Sequence, residues 1–151
     1  MTGILHFGPL HLLHFRAGGH DMAIDARYMV RVTTTESIHA HRIGDRIHNT
    51  ALYKGQPIPF MKFGESLHNK TYHLPMLILL IKQRYVAFVV EEVKGDVTLS
   101  QEAVEVAQEK EYDPKNLIHG IYHTESGAVL ILDIEQVFAP ILNTKALRSG
   151  E

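Results

Sequence analysis

The sequence predicts an all-β fold built as two barrel-like halves, and three observations carry that prediction. Residues 12–17, a Gly18-Gly19-His20 turn and residues 21–25 read as strand, tight turn, strand. Residues 76–81, Lys82-Gln83-Arg84 and residues 85–93 repeat the pattern in the other half of the chain. Residues 117–122, a Glu125-Ser126-Gly127 turn and residues 128–133 give a third pair. Apolar runs of strand length, split by glycines or a short polar tip, are the signature of β-hairpins. Repeating the unit within 151 residues points to a small duplicated β architecture, which suits binding better than chemistry.

In chain order, residues 10–17 enter the Gly18-Gly19 turn, and Met22, Ile24 and Ala26 form the inward face of the return strand. Residues 28–32 are a third apolar segment, which the β-branched Thr33-Thr34-Thr35 can extend as strand or open into a loop. Residues 38–50 are rich in His, Arg and Asp, with isolated Ile38, Ile43 and Ile47, and read as a long loop with a helical turn. Residues 56–63 alternate but carry Pro57 and Pro59, which suits an edge strand or a bulge. The polar residues 64–71 close the first half and place a lobe boundary near 64–72.

Residues 72–93 are the second hairpin and a core element. Residues 100–110 have a helical pattern: Thr98 with Gln101 resembles a capping box, and Ala103, Val104, Val106 and Ala107 share a face. After the third hairpin, Asp133 is placed to cap a short helix carrying Ile134, Val137 and Phe138, which Pro140 stops or kinks. Residues 139–151 read as a frayed tail, polar from Asn143 onward.

Composition narrows the function. One domain spanning 1–151 is expected, 45% hydrophobic and 21% charged, an ordinary globular balance that argues against disorder. With 15 Lys+Arg against 17 Asp+Glu, the chain has no basic surplus for phosphates, so no nucleic-acid partner is expected. The absence of cysteine excludes disulfides, thiol catalysis and cysteine metal sites and favours a reducing compartment. The apolar runs 74–81 and 85–90 are too short to span a bilayer, and the first residues lack a signal-peptide pattern. A cytoplasmic location without direct membrane insertion is the expectation.

Candidate chemistry yields little. Eleven histidines invite a metal reading, through His11 with His14, His39 with His41, or His119 with His123. On a strand, His39 and His41 would face the same way and need a third ligand. No His-Glu-x-x-His motif supports it, and the plainer reading is scattered surface or half-buried histidines. None of Ser37, Ser66, Ser100, Ser126 and Ser149 lies in a Gly-x-Ser-x-Gly elbow, and no phosphate loop or Gly-x-Gly-x-x-Gly is present. Glu91-Glu92 is better read as a strand end than a carboxylate pair, since neighbours on a strand face opposite ways. Asp25 and Asp133 likewise read as strand ends. Neither catalytic residues, nor a metal site, nor a cofactor is expected. Lys54-Gly55 before Gln56-Pro57-Ile58-Pro59-Phe60 is more pointed, because shaped turns on a rigid β scaffold commonly carry recognition.

Several ordered segments resemble the CheW-like domain family of bacterial chemotaxis coupling proteins over residues 12–138. Residues 15–25 are similar to the family's opening hairpin with its Ile-Asp ending, and residues 53–60 to its Leu-Arg-Gly segment running into a proline-bearing strand. Residues 86–93 resemble the strand closing on an acidic residue and a valine, and 118–121 with 128–134 the final hairpin and its Leu-Asp stop. The resemblance implies two lobes, each a small five-stranded SH3-like β-barrel, around a shared core, and leaves 100–110 irregular or strand, which is preferred to the helical pattern.

It also implies a non-enzymatic adaptor joining a chemoreceptor's cytoplasmic tip to the regulatory domain of a histidine kinase, with partner contacts at Met29, Arg31, Lys54, Gly55, Gln56 and Lys62. Lys54 stands where the family has arginine and loses its guanidinium fork. Arg31 and Lys62 stand where acidic residues are usual, and the stretch 33–53 looks shorter than usual and lacks its prolines. These departures imply a divergent member. The alternative from the histidine content is a metal- or ligand-binding sensory module of the same fold.

Overall fold

The structure, a computed structural model, describes residues 8–35, 38–43, 46–62, 74–106 and 117–142, without the side chains of 38–43, 46–49 and 106. It is all-β in two lobes. The terminal lobe is one six-stranded sheet made from both ends of the chain: β1 (Leu10–Ala17), β2 (His20–Asp25), β10 (Glu92–Leu99), β11 (Glu105–Val106), β12 (Ile118–Thr124) and β13 (Gly127–Leu132), in the order β10-β1-β2-β13-β12-β11. The central lobe joins β3 (Met29–Thr34), β8 (Pro75–Ile81), β9 (Arg84–Val89) and β7 (Phe60–Lys62), in the order β3-β8-β9-β7. It continues into a three-stranded sheet of β4 (Ile38–Ile43), β5 (Arg46–Tyr53) and β6 (Gln56–Ile58). Among the described residues the sheets are open rather than closed five-stranded rings.

The expected boundary region 64–72 lies outside the described residues. The sheets change over elsewhere, so the central lobe is inserted between β2 and β10. Asp25 makes the first change: its carboxylate accepts from Arg27 N at 3.0 Å and caps a 3-10 turn, Ala26–Tyr28, that turns the chain out of the first sheet. The second change lies between β9 and β10, where Glu91 N donates to Arg16 O at 2.7 Å.

Why the strands read as nearly unbroken apolar runs follows from the three cores. On β8, Leu77, Leu79 and Ile81 point into a core shared between the lobes, while Met76 and Ile78 point into a core inside the central lobe. On β9, Val86 and Phe88 take the shared side, and Ala87 and Val89 the inner side. The terminal lobe does the same, with Leu13, Phe15, Met22 and Ile24 in the shared core and Leu12, Ala23, Val129 and Ile131 in an inner core with Tyr122. A strand with period-2 side chains that is buried on both faces has no polar face to show. Phe15, Phe88 and Phe138 are fully buried and meet edge to face, at 5.5 Å for Phe15–Phe88 and 6.0 Å for Phe88–Phe138. Burying each such ring contributes about 1.5–3 kcal/mol.

Two sequence expectations are corrected, at 38–50 and at 139–142. Residues 38–43 and 46–53 form the antiparallel pair β4–β5, with Ile38 opposite Ala51 and Ile43 opposite Arg46, not a loop with a helical turn. Residues 101–106 are a 3-10 turn, Gln101–Ala103, then β11, in keeping with the preference for irregular or strand structure over the helical pattern, and Ser100 makes no side-chain cap bond. β11 lies against Gly120, where a Cβ would come 2.6 Å from Val104 Cγ1 and 3.0 Å from Glu105 O, so only glycine admits that approach. Residues 107–110 lie outside the described residues.

The second correction concerns the frayed tail, which does not begin at 139. Asp133 caps α1 (Ile134–Val137), accepting from Gln136 N at 3.3 Å, and after a break at Phe138 comes α2 (Ala139–Leu142). Ile141 and Leu142 pack on the shared core, and Arg84 Nη1 donates to Leu142 O at 2.6 Å. Apolar side chains and a carbonyl anchor hold this last turn.

Candidate functional site

The hairpin β5–β6 carries the predicted recognition loop. Tyr53 pairs with Gln56 across a two-residue turn in which Lys54 has φ 54° and Gly55 φ 78°. Left-handed backbone at both central positions matches the right-handed twist of the flanking strands. Lys54, Gly55 and Gln56 are all exposed. The Lys54 ammonium lies 5.4 Å from the centre of the Tyr53 ring, within cation–π range. Pro57 sits on β6, an edge strand, opposite Leu52, as its missing N–H requires. Pro59 O accepts from Ala87 N at 2.9 Å and fixes the link to β7.

The other predicted partner residues are spread over the same lobe. Arg31 is exposed on the edge strand β3, opposite Ile78. Met29 packs against the shared core instead of standing on the surface with Arg31. A register shift between Met29 and Arg31 separates the two and leaves Val30 over, 39% exposed. Lys62 is half-buried at the end of β7, opposite Val89. The structure thus gathers Lys54, Gly55 and Gln56 at one tip, and sets Arg31 and Lys62 on separate strands of the sheet beside it.

Sequence reasoning missed two residues here. Leu80 and Tyr85 face each other across the β8–β9 hairpin and are 40% and 39% exposed. The Tyr85 ring is 5.0 Å from that of Tyr53, which sets the two hairpin tips side by side. The available signal was their place one step from a Lys82-Gln83 turn, where an apolar face runs past the end of its core.

Asp25 and Asp133 sit at strand ends, as expected, but also line one cleft of about 310 Å³ between the start of β1 and α1. Each acts as a cap, to Arg27 N and Gln136 N respectively. Between them Tyr28 Oη donates to Glu135 Oε2 at 2.7 Å and accepts from Arg27 Nη2 at 3.1 Å. Burial, and then the hydrogen bond to Glu135, pushes the Tyr28 phenol above its usual range. The one hydroxyl in the cleft lining is that of Tyr28, which donates to Glu135 rather than to Asp25 or Asp133.

Among the described side chains, the predicted histidine pairs are not joined into a site. His11 bonds Thr98 at 3.3 Å, His14 meets Asp21 at 3.2 Å, and His123 meets Glu105 at 3.3 Å. His39 and His41 are on β4, but their side chains lie outside the described residues. Among the described residues no group of three or more His, Asp or Glu is placed to hold a metal ion. Nor is any helix there long and apolar enough to cross a membrane.

The described residues form an all-β chain with two lobes on a shared core, and the candidate site lies on the turns of the central lobe. The family model for the CheW-like domain matches residues 11–141, and the chain belongs to that family. Among solved structures it is similar to the scaffolding protein CheW of Thermoanaerobacter tengcongensis, with a TM-score of 0.64 and 16% identity over 83% of this chain and 89% of that one. That likeness concerns the fold. No curated protein matches the chain.

Proposed function

We propose that this domain is a non-enzymatic scaffold of a chemotaxis-like signalling system, located in the cytoplasm, that couples a chemoreceptor's cytoplasmic tip to the regulatory domain of a histidine kinase. Membership of the CheW-like family is the observation that carries the reading. The partner face is the central lobe around Lys54, Gly55 and Gln56, with Arg31 and Lys62 contributing charge and Met29 supporting β3 from the core side. Point charges at exposed positions steer encounter more than they set affinity. The cationic residues at 31, 54 and 62 call for a partner more acidic than the family's usual one. The histidine-dependent sensory module draws no support from the described side chains.

Pull-down with receptor-tip and kinase regulatory fragments tests the reading. The wild-type chain should retain both fragments. Lys54→Glu should weaken retention several-fold while the melting temperature stays within about 2 °C, as for an exposed substitution worth less than about 0.5 kcal/mol. Raising the salt concentration should weaken binding. Retention of neither fragment by the wild-type chain would sink the adaptor role.

A further inference from the structure

We propose that the two neighbouring hairpin tips, Tyr53–Gln56 and Leu80–Tyr85, form one docking face for a protein segment that is apolar at its centre and acidic at its flanks. The inference rests on the adaptor reading and names the partner chemistry that the central lobe would take.

Three features converge at these tips. The first is apolar surface continuous with a core. Leu80 and Tyr85 lie on the face of β8 and β9 that carries Met76, Ile78, Ala87 and Val89 into the central lobe, but they run beyond it into solvent. Leu80 and Tyr85 are cross-strand partners on one face and are two of the four exposed large hydrophobics among the described residues; Val32, opposite Leu77, lies on the other face of the sheet. Scattered exposed apolar residues need no explanation, whereas Leu80, Tyr85 and the neighbouring Tyr53 ring adjoin one another and mark an interaction surface.

The second is a fixed aromatic platform. Tyr53 and Tyr85 touch at 5.0 Å with their planes tilted by 53°, so the tips are held together by rings and not only by their strands. Aromatic rings with few rotatable bonds lose little entropy on binding and are favoured as interface anchors.

The third is charge held on strained backbone. Lys54, Lys82 and Gln83 are the non-glycine residues with positive φ among the described residues, at 54°, 51° and 68°. All three occupy these two turns, positions where glycine or asparagine is favoured. Lysine stands at the first position of each turn, and the Lys54 ammonium lies over the Tyr53 ring at 5.4 Å. Lys82 Nζ lies 3.7 Å from Glu135 Oε1 with its side chain 68% exposed, a contact weak enough to exchange for a partner's carboxylate. Arg31, on the edge of the same sheet, adds a third cation. Apolar centre and cationic rim together fit carboxylates flanking a leucine or phenylalanine.

The test titrates the ¹⁵N-labelled full chain with a synthetic amphipathic peptide of about twenty residues, leucines on one face and glutamates flanking. A peptide with lysines in place of the glutamates is the control. The expected amide shifts fall at 53–56 and 80–85, affinity falls with salt, and the lysine peptide binds at least about tenfold more weakly. Leu80→Ser and Tyr85→Ser should each cut affinity about tenfold or more while keeping the dispersed spectrum of the folded chain.

Shifts centred on the Asp25–Asp133 cleft, equal binding of both peptides, or an absence of shifts would overturn the proposal. So would self-association of the unliganded chain that Tyr85→Ser abolishes, which would make the face a contact between copies. Flotation with phosphatidylserine vesicles that Lys54→Glu abolishes would assign it to anionic lipid instead. Peptide binding at the tips with failed pull-downs would keep the face and sink the adaptor role. Successful pull-downs that ignore Leu80→Ser and Tyr85→Ser would do the reverse.

Discussion

The hairpins β1–β2 and β8–β9 have nearly the same backbone and different tips. Gly18 and Gly19 have φ 59° and 79°; Lys82 and Gln83 have φ 51° and 68°. Both strand pairs bury one face in the shared core and the other in the inner core of their own lobe. In the first, glycine fills the left-handed positions without a Cβ clash, and Arg16 ties the tip down by donating to Gly19 O at 3.0 Å and pairing with Asp21 at 3.4 Å. In the second, two side-chain-bearing residues hold the same geometry, at a cost of about 1–2 kcal/mol each. One tip is built for stability and the other carries charge into solvent. Strain retained where a cheaper residue would serve marks a position used for something else.

The largest expected effect tests what the hairpins have in common. Phe15 on β1 and Phe88 on β9 are fully buried and in edge-to-face contact, so the two hairpins meet through these rings. Phe88→Ala also removes the contact with Phe138 and should cost about 3–5 kcal/mol, with Phe15→Ala in the same range. Urea denaturation of both single variants and the double variant should give a coupling of about 0.5–1.5 kcal/mol. Fully additive losses would mean that the hairpins do not depend on each other through the shared core.

The next effect tests the difference. Exchanging Lys82→Asn with Gln83→Gly should stabilise the chain by about 1 kcal/mol or more, by removing the left-handed penalty from two L-residues. The reverse exchange, Gly18→Lys with Gly19→Gln, should cost a similar amount. Both should move the urea midpoint at constant m-value. If both exchanges proved neutral, the tips would not differ in strain, and the functional weight placed on Lys82 would lose one of its supports.

What was legible in the sequence follows the same division. The three hairpins were visible because glycine or charged tips interrupt strand-length apolar runs, and Asp25 and Asp133 because each stops such a run. The β5–β6 turn was visible through Lys54-Gly55 before a proline-bearing strand. Residues 38–50 were misread because their apolar residues are sparse, although Gly44-Asp45 between two β segments is itself a hairpin signal. The helical pattern at 101–106 failed because its apolar residues serve strand packing beside Gly120: Val104 joins the inner core of the terminal lobe. The insertion of one lobe into the other was not legible, because pairing between β1 and β10 joins residues some eighty positions apart. Leu80 and Tyr85 were hidden inside runs that looked wholly buried, since periodicity gives the face of a side chain but not where the core beneath it ends.

The smallest effect contrasts the two lobes through their tyrosines. Tyr53 and Tyr85 stack partly in solvent, whereas Tyr122 is 2% exposed in the inner core of the terminal lobe, and its hydroxyl meets no hydrogen-bond partner among the described residues. A buried hydroxyl without a partner loses its hydration uncompensated, so Tyr122→Phe should leave stability unchanged or raise it by up to about 1 kcal/mol near neutral pH. Burial, and then the nearby Asp21 charge, pushes the Tyr122 phenol above its usual range.

With the folded pKa raised, the folded chain holds this proton longer than the unfolded chain. The contribution to stability is full below the unfolded value of about 10 and is lost as pH rises through the folded value. Tyr28 acts in the same direction. Urea midpoints measured across that alkaline window should fall less steeply in Tyr122→Phe than in wild type, and the variant's ultraviolet titration should lack one late-ionising phenol. A loss of 1 kcal/mol or more at neutral pH would mean that an ordered water satisfies the hydroxyl, and that the terminal lobe is wet at the point where its apolar packing appears complete.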